Sequence, residues 1–282
     1  MKILSFLASL LLFWRKKKSV VPMVRLAGVI SSAPSLRRGL SLESIEPQLK
    51  KAFSVRSAKA VALIINSPGG SPVQSALIGQ RIRDLASKAS VPVMAFCEDV
   101  AASGGYWIAT SADEIFANGA SVIGSIGVVS AGFGFDRAIE KIGVDRRVQT
   151  SGRNKMILDP FQPQRDEDVE RLRELQADIH QQFISHVLDR RGARLQEPHD
   201  ELFSGAFWTG QRAVDLGLID GLGECRQVLR DRFGEDINFM FIEPKRKLLA
   251  GFGGLPGTLA GGIVDEVMET VIEKALLSRF GL

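Results

Sequence analysis

Cysteine and histidine are scarce in this chain of 282 residues, which contains two cysteines and three histidines. Cys97 and Cys225 match no metal-ligand spacing and suggest no disulfide framework, so we expect each to be a small buried hydrophobic residue. His180, His186 and His199 form no cluster with the cysteines that would indicate a metal site. We therefore expect neither a metal ion nor another cofactor.

The chain also lacks a basic stripe interleaved with aromatic residues, although its formal net charge is +4. Nucleic-acid binding is therefore not expected. Much of the positive charge lies in three short clusters, at residues 15–18, 37–38 and 245–247. Two of these clusters flank apolar segments, which favours attraction to a membrane surface.

The apolar run at the start of the chain is shorter than the roughly 20 residues that usually span a bilayer. Residues 1–14 are apolar, but the basic cluster follows them at once and no A-x-A-like cleavage site is present. We interpret residues 1–19 as an uncleaved membrane anchor, interfacial or minimally spanning, with a basic linker. The alternatives are a signal-peptide remnant and a packed terminal helix.

Strand-like and helix-like segments alternate along the chain. Residues 60–65 form a continuous apolar run, which is typical of a strand buried on both faces of a parallel sheet. Further strands are predicted at residues 20–30, 91–97, 114–117, 127–130, 146–150 and 237–242. Helices are predicted at residues 40–53, with Ser41 as N-cap, and at 72–89, 103–111, 136–142, 165–191, 208–216 and 222–233. This alternation predicts a layered α/β fold such as a right-handed β–α superhelix.

The composition changes after residue 244. Residues 248–262 are rich in glycine and apolar residues, and residues 263–276 place an apolar stripe opposite acidic residues at helical spacing. We interpret residues 245–282 as a glycine-rich linker and an amphipathic helix that makes an oligomer contact or packs on the core. A helix lying on the membrane is less favoured, because its polar face is mostly acidic.

Ser103 is the candidate nucleophile, because it lies in a run of small residues, 99–107, between a predicted strand and a predicted helix. The unsatisfied N–H groups at a helix start can stabilise a developing oxyanion. A serine hydroxyl needs a base to remove its proton. His180 and His186 fall in a charged helix pattern and His199 in a polar turn, so we expect structural roles for all three. A Ser–His–Asp triad is therefore not expected.

A lysine is the other candidate base, and Lys155 differs from the many lysines in charged runs. It follows a predicted strand and is itself followed by apolar residues, which alone is a weak signal. Residues 66–70 form a glycine loop whose N–H groups can approach a substrate without interference from a Cβ. One of these N–H groups and that of Gly104 would make a two-donor oxyanion hole. The alternative for this loop is an ordinary tight turn.

Four motifs occur in order: INSPGG at 65–70, DVAASGGY at 99–106, GSIGV at 124–128 and SGRNK at 151–155. Together with FWTGQRAVDLGLID at 207–220, they make residues 20–241 resemble the signal peptide peptidase A family, the SppA/SohB type of serine protease. Each motif alone is unspecific, whereas the ordered set is highly specific. The length resembles that of the short members with one catalytic domain, and the motif set is not repeated.

This resemblance implies a ClpP/crotonase-like fold for residues 20–244, with a C-terminal helical extension, and a Ser–Lys dyad. Ser103 would be the nucleophile, Lys155 the general base and Ser125 the residue that orients the lysine. Three glycines would lie around the oxyanion site: Gly69, Gly70 and Gly104. In the short members the serine and the lysine of one dyad come from adjacent subunits of a ring, so a homo-oligomer is implied as well.

The resemblance further implies an endopeptidase that cleaves apolar peptides, such as released signal peptides, at a membrane of the bacterial inner-membrane type. Two alternatives stay open. A crotonase-like acyl-CoA enzyme would share the fold and the oxyanion hole, and a membrane-anchored ring scaffold could bind peptides without cleaving them. A ClpP-like triad protease is disfavoured, because no histidine is suitably placed.

Overall fold

The computed structural model describes residues 19–31, 39–196, 198–244, 271 and 274–281. Its strands are β1 (Val20–Ala27), β2 (Val61–Ser67), β3 (Val93–Ala102), β4 (Glu114–Ala117), β5 (Val122–Gly124), β6 (Phe207–Thr209), β7 (Gly221–Leu222) and β8 (Asn238–Phe241). Its helices are α1 (Leu42–Phe53), α2 (Pro72–Ala89), α3 (Gly104–Ala109), α4 (Asp136–Lys141), α5 (Asp166–Arg191), α6 (His199–Leu202), α7 (Gly210–Asp215) and α8 (Cys225–Phe233).

The strands form one sheet of eight strands in the order β6–β5–β3–β2–β1–β8, with β4 paired to β3 and β7 paired to β4. Among the described strands, β5 and β6 pair antiparallel and the other neighbours pair in parallel. Strand β3 is central, because it pairs with β2 along its length, with β4 in its first half and with β5 at its end. The predicted α/β class is therefore confirmed.

The side chains of strand β2 alternate between two apolar layers. Val61, Leu63 and Ile65 belong to the layer that α1, α2 and α3 cover. Ala62 and Ile64 face the opposite layer, which includes a buried leucine of α8. Because both faces are buried, this strand reads as a continuous apolar run and not as an alternating pattern.

Local capping explains where the first two helices begin. The Ser41 hydroxyl accepts from the Ser44 N–H, and the Ser44 hydroxyl accepts from the Ser41 N–H, which completes a capping box at the start of α1. The Ser71 hydroxyl accepts from the Gln74 N–H at the start of α2, where proline occupies the first turn. The predicted cap at Ser41 and the predicted bounds of residues 72–89 are confirmed.

Two predicted strands are wrong. Residues 127–130 and 146–150 lie in the described part of the chain but pair with no strand there. Strand β5 lies a few residues before the first of them, where Ala102 pairs with Gly124. The helix predicted from residue 208 begins at Gly210, because Trp208 belongs to β6. Valine-rich segments favour extended backbone, but a strand also needs a pairing partner.

Residues 1–18, which carry the predicted membrane anchor, lie outside the described residues, as does most of segment 245–282. Of the predicted C-terminal amphipathic helix, the structure describes residues 271 and 274–281, and residues 271 and 274–278 are helical. Within the described residues, no helix has the length and apolar character needed to cross a membrane.

Candidate active site

Ser103 and Ser125 follow the carboxyl ends of two adjacent parallel strands, β3 and β5. Both have left-handed backbone, with φ of 52° at Ser103 and 53° at Ser125. The Ser103 N–H donates to the Gly124 carbonyl at 2.8 Å, and the Ser125 N–H donates to the Ala206 carbonyl at 2.7 Å. Such backbone is uncommon for residues other than glycine, and these hydrogen bonds hold it in place. The sheet therefore brings the two predicted site serines to the same edge.

Ser103 forms the sharp turn between β3 and α3. Its φ of 52° and ψ of −123° resemble the first central residue of a type II′ turn, a position that glycine usually occupies. The side chain makes no capping hydrogen bond to α3, so helix capping does not engage the hydroxyl. Backbone strain of this kind clusters at functional sites, which agrees with a role as nucleophile.

Gly69 packs directly against the Ser103 turn. A Cβ on Gly69 would lie 2.8 Å from the Ser103 Cβ and 2.8 Å from the Gly104 nitrogen. The Gly69 N–H already donates to the Ser67 Oγ at 3.2 Å, and its carbonyl accepts from the Ile30 N–H at 2.8 Å. Gly69 therefore supports the turn, and its N–H is less available to an oxyanion than the sequence suggests.

Gly70 and Gly104 offer N–H groups beside Ser103. The Gly69 carbonyl and the Ser71 N–H make the hydrogen bonds of the parallel bridge between Gly70 and Ile30. The N–H of Gly70 itself therefore points away from Ile30. Gly104 is the first residue of α3, where N–H groups have no partner within the helix. A Cβ on Gly104 would lie 2.3 Å from the Ser75 Oγ, so a larger residue would require the Ser75 side chain to move. The geometry favours these two residues as oxyanion donors, although the role of all three glycines stays a prediction.

A cleft of about 530 Å³ opens beside the two serines. Its walls come from the glycine loop, the ends of β3 and β5, helix α5, the segment before β6 and the end of the chain: Pro68, Gly70, Pro72, Ser103, Ser125, Gly127, Val128, Val129, His180, Ser204, Gly205, Leu276, Arg279 and Phe280. The Phe280 ring packs edge-on against Phe207, with ring centroids 5.0 Å apart. The lining of the cleft therefore combines apolar side chains with polar groups such as those of His180 and Arg279.

Lys155 lies in the segment of residues 128–164, which we call the arm. Its side chain is exposed, and its backbone N–H donates to the Gly152 carbonyl at 3.1 Å. The described residues that line the cleft of Ser103 do not include Lys155. One copy of the chain thus does not place the predicted base in the cleft, and the assignment of Lys155 stays a prediction.

The arm exposes much apolar surface. Phe133 is 81% exposed, Ile142 is 73% exposed and Val144 is 50% exposed. Helix α4, which lies in the arm, buries none of its residues. The Phe135 and Phe161 rings contact each other, with centroids 5.8 Å apart, but both remain partly exposed. A large exposed apolar patch marks an interaction surface, so the arm is suited to contact another chain.

His180 lines the same cleft, although the sequence predicts only a structural role for it. Its Nε2 lies 3.0 Å from the carbonyl oxygen of Ile126, the residue after Ser125. Helical periodicity assigns a residue to one face of a helix, but it does not show which loop that face meets. One sequence signal does indicate that His180 faces the core: it stands three residues before the buried Phe183, so the two residues lie on the same face of α5.

The two cysteines lie in environments that suppress thiolate chemistry. Burial raises the pKa of Cys97 to about 12, and burial together with the negative charge of Glu224 raises the pKa of Cys225 to about 12. Cys97 is buried as predicted, whereas Cys225 is only partly buried. Among the described residues, no group of three or more His, Cys, Asp or Glu side chains is arranged to hold a metal ion. Because their raised pKa values leave little thiolate, neither thiol competes with Ser103 for the role of nucleophile.

Residues 86–232 match the model of peptidase family S49, just over half of the chain. The chain is 50% identical over 279 residues to the Na(+)/H(+) antiporter NhaA of Brucella abortus, which covers 95% of this chain and 38% of that protein. It is 33% identical over 218 residues to protease 4 of Haemophilus influenzae, which covers 74% of this chain and 34% of that protein. The chain thus spans less than two fifths of either relative, and the antiporter name describes a much longer protein.

A solved structure has a similar fold. It is a lysine-to-alanine mutant of the 1510-N membrane-bound stomatin-specific protease in complex with a substrate peptide, with a TM-score of 0.50 and 15% identity. The match covers 82% of this chain and 95% of that chain, and it agrees with the predicted ClpP-like fold. The motifs at 65–70, 99–106 and 124–128 contribute residues to the cleft of Ser103, whereas the motif at 151–155 lies on the arm. The family model covers all of the motifs except the one at 65–70. The chain therefore belongs to peptidase family S49.

Proposed function

We propose that this chain is the catalytic domain of a serine endopeptidase that cleaves apolar peptides through Ser103 and Lys155. The observation that carries the proposal is the turn at Ser103, where a serine adopts backbone typical of glycine at a strand end beside a cleft. A serine with only a structural role would not require this strained backbone. Membership of a peptidase family supports the same reaction class.

The reaction follows from the groups around Ser103. Neutral Lys155 takes the proton of the Ser103 hydroxyl, and Oγ bonds to the carbonyl carbon of the scissile peptide. The oxyanion accepts hydrogen bonds from the N–H groups of Gly70 and Gly104. The protonated lysine returns its proton to the leaving amine, so that the C–N bond breaks and an acyl-enzyme remains. Water, deprotonated by the same lysine, then hydrolyses the ester and frees Ser103.

The proposal places each dyad between two copies of the chain. Within one copy, Lys155 is exposed on the arm and Ser103 lies in the cleft. If the arm docks on a neighbouring copy, its exposed apolar side chains become buried and the lysine enters the neighbour's cleft. Desolvation favours the neutral amine, which is the form that a general base requires. Ser125 lies beside Ser103 in the cleft and would orient the incoming lysine.

Apolar peptides are the proposed substrates. Pro68, Pro72, Val128 and Val129 contribute apolar surface beside the two serines, in a lining that also contains polar and charged side chains. An extended peptide would bind there by backbone hydrogen bonds, with its apolar side chains against these walls. The similar stomatin-specific protease holds a peptide, which supports this ligand class. Residues 1–18 are apolar and then basic, which supports location of the enzyme at a membrane. Signal peptides and other membrane-derived peptides would reach the cleft there.

Peptidase assays on the purified full chain test the proposal. We expect cleavage of a fluorogenic apolar peptide, and we expect Ser103→Ala to abolish it. Ser54→Ala, a change of an exposed serine at the end of α1, is the matched control and should keep wild-type activity. Full activity in Ser103→Ala would refute the assignment. Turnover of a CoA thioester without peptide cleavage would instead favour the crotonase-like alternative.

A further inference from the structure

His180 joins helix α5 to the loop that carries Ser125. Its Nε2 lies 3.0 Å from the Ile126 carbonyl oxygen, and the ring also lines the cleft that contains Ser103. Because a carbonyl oxygen only accepts hydrogen bonds, the imidazole donates, and the proton lies on Nε2. The other ring nitrogen is therefore the acceptor in the neutral imidazole.

The backbone on both sides of the Ser125 side chain is held. The Ser125 N–H donates to the Ala206 carbonyl at 2.7 Å, and the carbonyl of the next residue, Ile126, accepts from His180. Gly124 and Ser125 have φ values of 109° and 53°, so the loop places two consecutive residues in left-handed backbone. An unsupported loop of this kind relaxes, because the conformation is unfavourable for serine. The direction of the Ser125 hydroxyl therefore depends on both hydrogen bonds.

Helix α5 is also fixed to the helix that begins after Ser103. Phe183, about one turn beyond His180, stacks on Trp107 of α3 with ring centroids 4.7 Å apart. His186 stacks on the same indole at 5.2 Å, and its Nε2 lies 3.0 Å from the Thr110 Oγ1. One rigid helix thus contacts the element that follows Ser103 and the loop that contains Ser125.

We propose that His180 is a positioning residue for the peptidase reaction. Its imidazole holds the Ile126 carbonyl, so that Ser125 keeps the orientation in which it directs Lys155 toward Ser103. This inference rests on the proposed function, since the roles of Ser125 and Lys155 belong to it.

The kinetic test compares His180→Phe, which keeps a planar ring without a donor, with His180→Gln, which keeps an N–H donor. We expect His180→Phe to lower kcat by roughly 10- to 100-fold with KM changed by less than about threefold, because a displaced positioning group affects the transition state most. His180→Gln should restore most of kcat. His186→Phe is the matched control on the same helix, and it should lower the unfolding temperature while kcat stays within about threefold of wild type.

Hydrogen exchange tests the positioning without any activity. In His180→Phe, amides of residues 122–127 should exchange at least about tenfold faster than in wild type, while those of β2 stay unchanged. If the wild type cleaves no peptide, the proposed function fails, and the exchange result still decides whether His180 holds this loop. Wild-type kcat or wild-type exchange in His180→Phe overturns the inference. Equal kcat losses in both variants with unchanged exchange would mean that the ring carries a proton itself, which also overturns it.

Discussion

The Ser103 nitrogen lies 2.8 Å from the Gly124 carbonyl oxygen, and this hydrogen bond joins the turn of the proposed nucleophile to the strand end that carries Ser125. It is one of the hydrogen bonds that form the parallel pair of Ala102 with Gly124. The Ser125 N–H donates to Ala206, next to the antiparallel pair of Gly124 with Phe207, so the two serine turns lie at the ends of adjacent ladders of one sheet. The spacing of the two serines is set by the sheet and does not depend on flexible side chains.

Mixing two inactive variants should restore activity. Ser103→Ala keeps Lys155, and Lys155→Met keeps Ser103, so a dyad between copies re-forms wherever an intact serine meets an intact lysine. For a 1:1 mixture in a closed ring, about a quarter of the sites are complete, so about a quarter of wild-type activity should return. The measurement is peptidase activity after the two proteins are dissociated and reassembled together.

The control for this mixing experiment uses the double variant Ser103→Ala/Lys155→Met in place of Lys155→Met. That mixture contains no intact serine and should stay inactive. If differently tagged copies co-purify in one assembly and activity still does not return, the dyad is not shared between copies.

Replacing Ser103 by glycine should stabilise the fold. Ser103→Gly and Ser103→Ala both lack the hydroxyl, but only glycine adopts the turn without strain, so Ser103→Gly should be more stable by about 1–2 kcal/mol in urea unfolding. Ser90 is the matched control, because its φ of 52° and ψ of 43° place it in the common left-handed region at the end of α2. At position 90 the glycine variant should be more stable than the alanine variant by a smaller amount, about 1 kcal/mol or less. Equal gains at both positions would contradict special strain at Ser103.

Alanine at Gly69 should damage both folding and activity. The added Cβ would lie 2.8 Å from the Ser103 Cβ and 2.9 Å from the Ala102 carbonyl oxygen, so the turn must move. We expect a loss of about 3 kcal/mol or more in the free energy of unfolding, with little remaining activity. Gly234→Ala is the control, since Gly234 has a similar φ of 94° but nothing within 4 Å of its Cβ position. Backbone strain alone should cost about 1–2 kcal/mol there, because ψ is 157°, and activity should be kept; a comparable loss at both sites would contradict the packing argument.

His186 should make stability depend on pH. Burial lowers the pKa of His186, although its hydrogen bond to the Trp107 carbonyl raises it in part. As pH falls below the ordinary value of about 6.5, the unfolded chain binds a proton that the folded chain resists, so this contribution to stability is present above that pH and lost below it. His186→Gln should reduce the loss of stability between pH 7 and 5, measured by urea unfolding. Identical pH slopes in the two proteins would refute this.

The sequence predicts the elements whose signals are local. Helix α2 begins and ends at the predicted residues, because Ser71, Pro72 and the apolar periodicity all act within a few residues. The buried strand β2 was predicted for the same reason, since a continuous apolar run is itself the signal. A helix start near Ser103 is predicted from small residues between a strand and a helix, and the helix begins at Gly104, but the positive φ of Ser103 is not predicted.

The remaining features depend on partners that are distant in the chain. Trp208 begins no helix, because it pairs with Ile123 across a long connection. His180 was expected to be only structural, and its contact with Ile126 arises from the docking of α5 on the β5 loop. Local propensity contains no information on either pairing. Ordered motifs located the site, whereas the supporting contacts required the fold.

Residues that are distant in the sequence contact one another around Ser103. Ile30 contacts Gly69, Gly124 binds the Ser103 N–H, and Ala206 binds the Ser125 N–H. Long loops must close before such contacts form, and closing them has an entropic cost. A chain emerging from the ribosome starts with its N-terminus, and until Ala206 has been synthesised the Ser125 loop lacks its acceptor. Most of the domain is thus translated before the two serines have all of the backbone hydrogen bonds that hold them at the cleft.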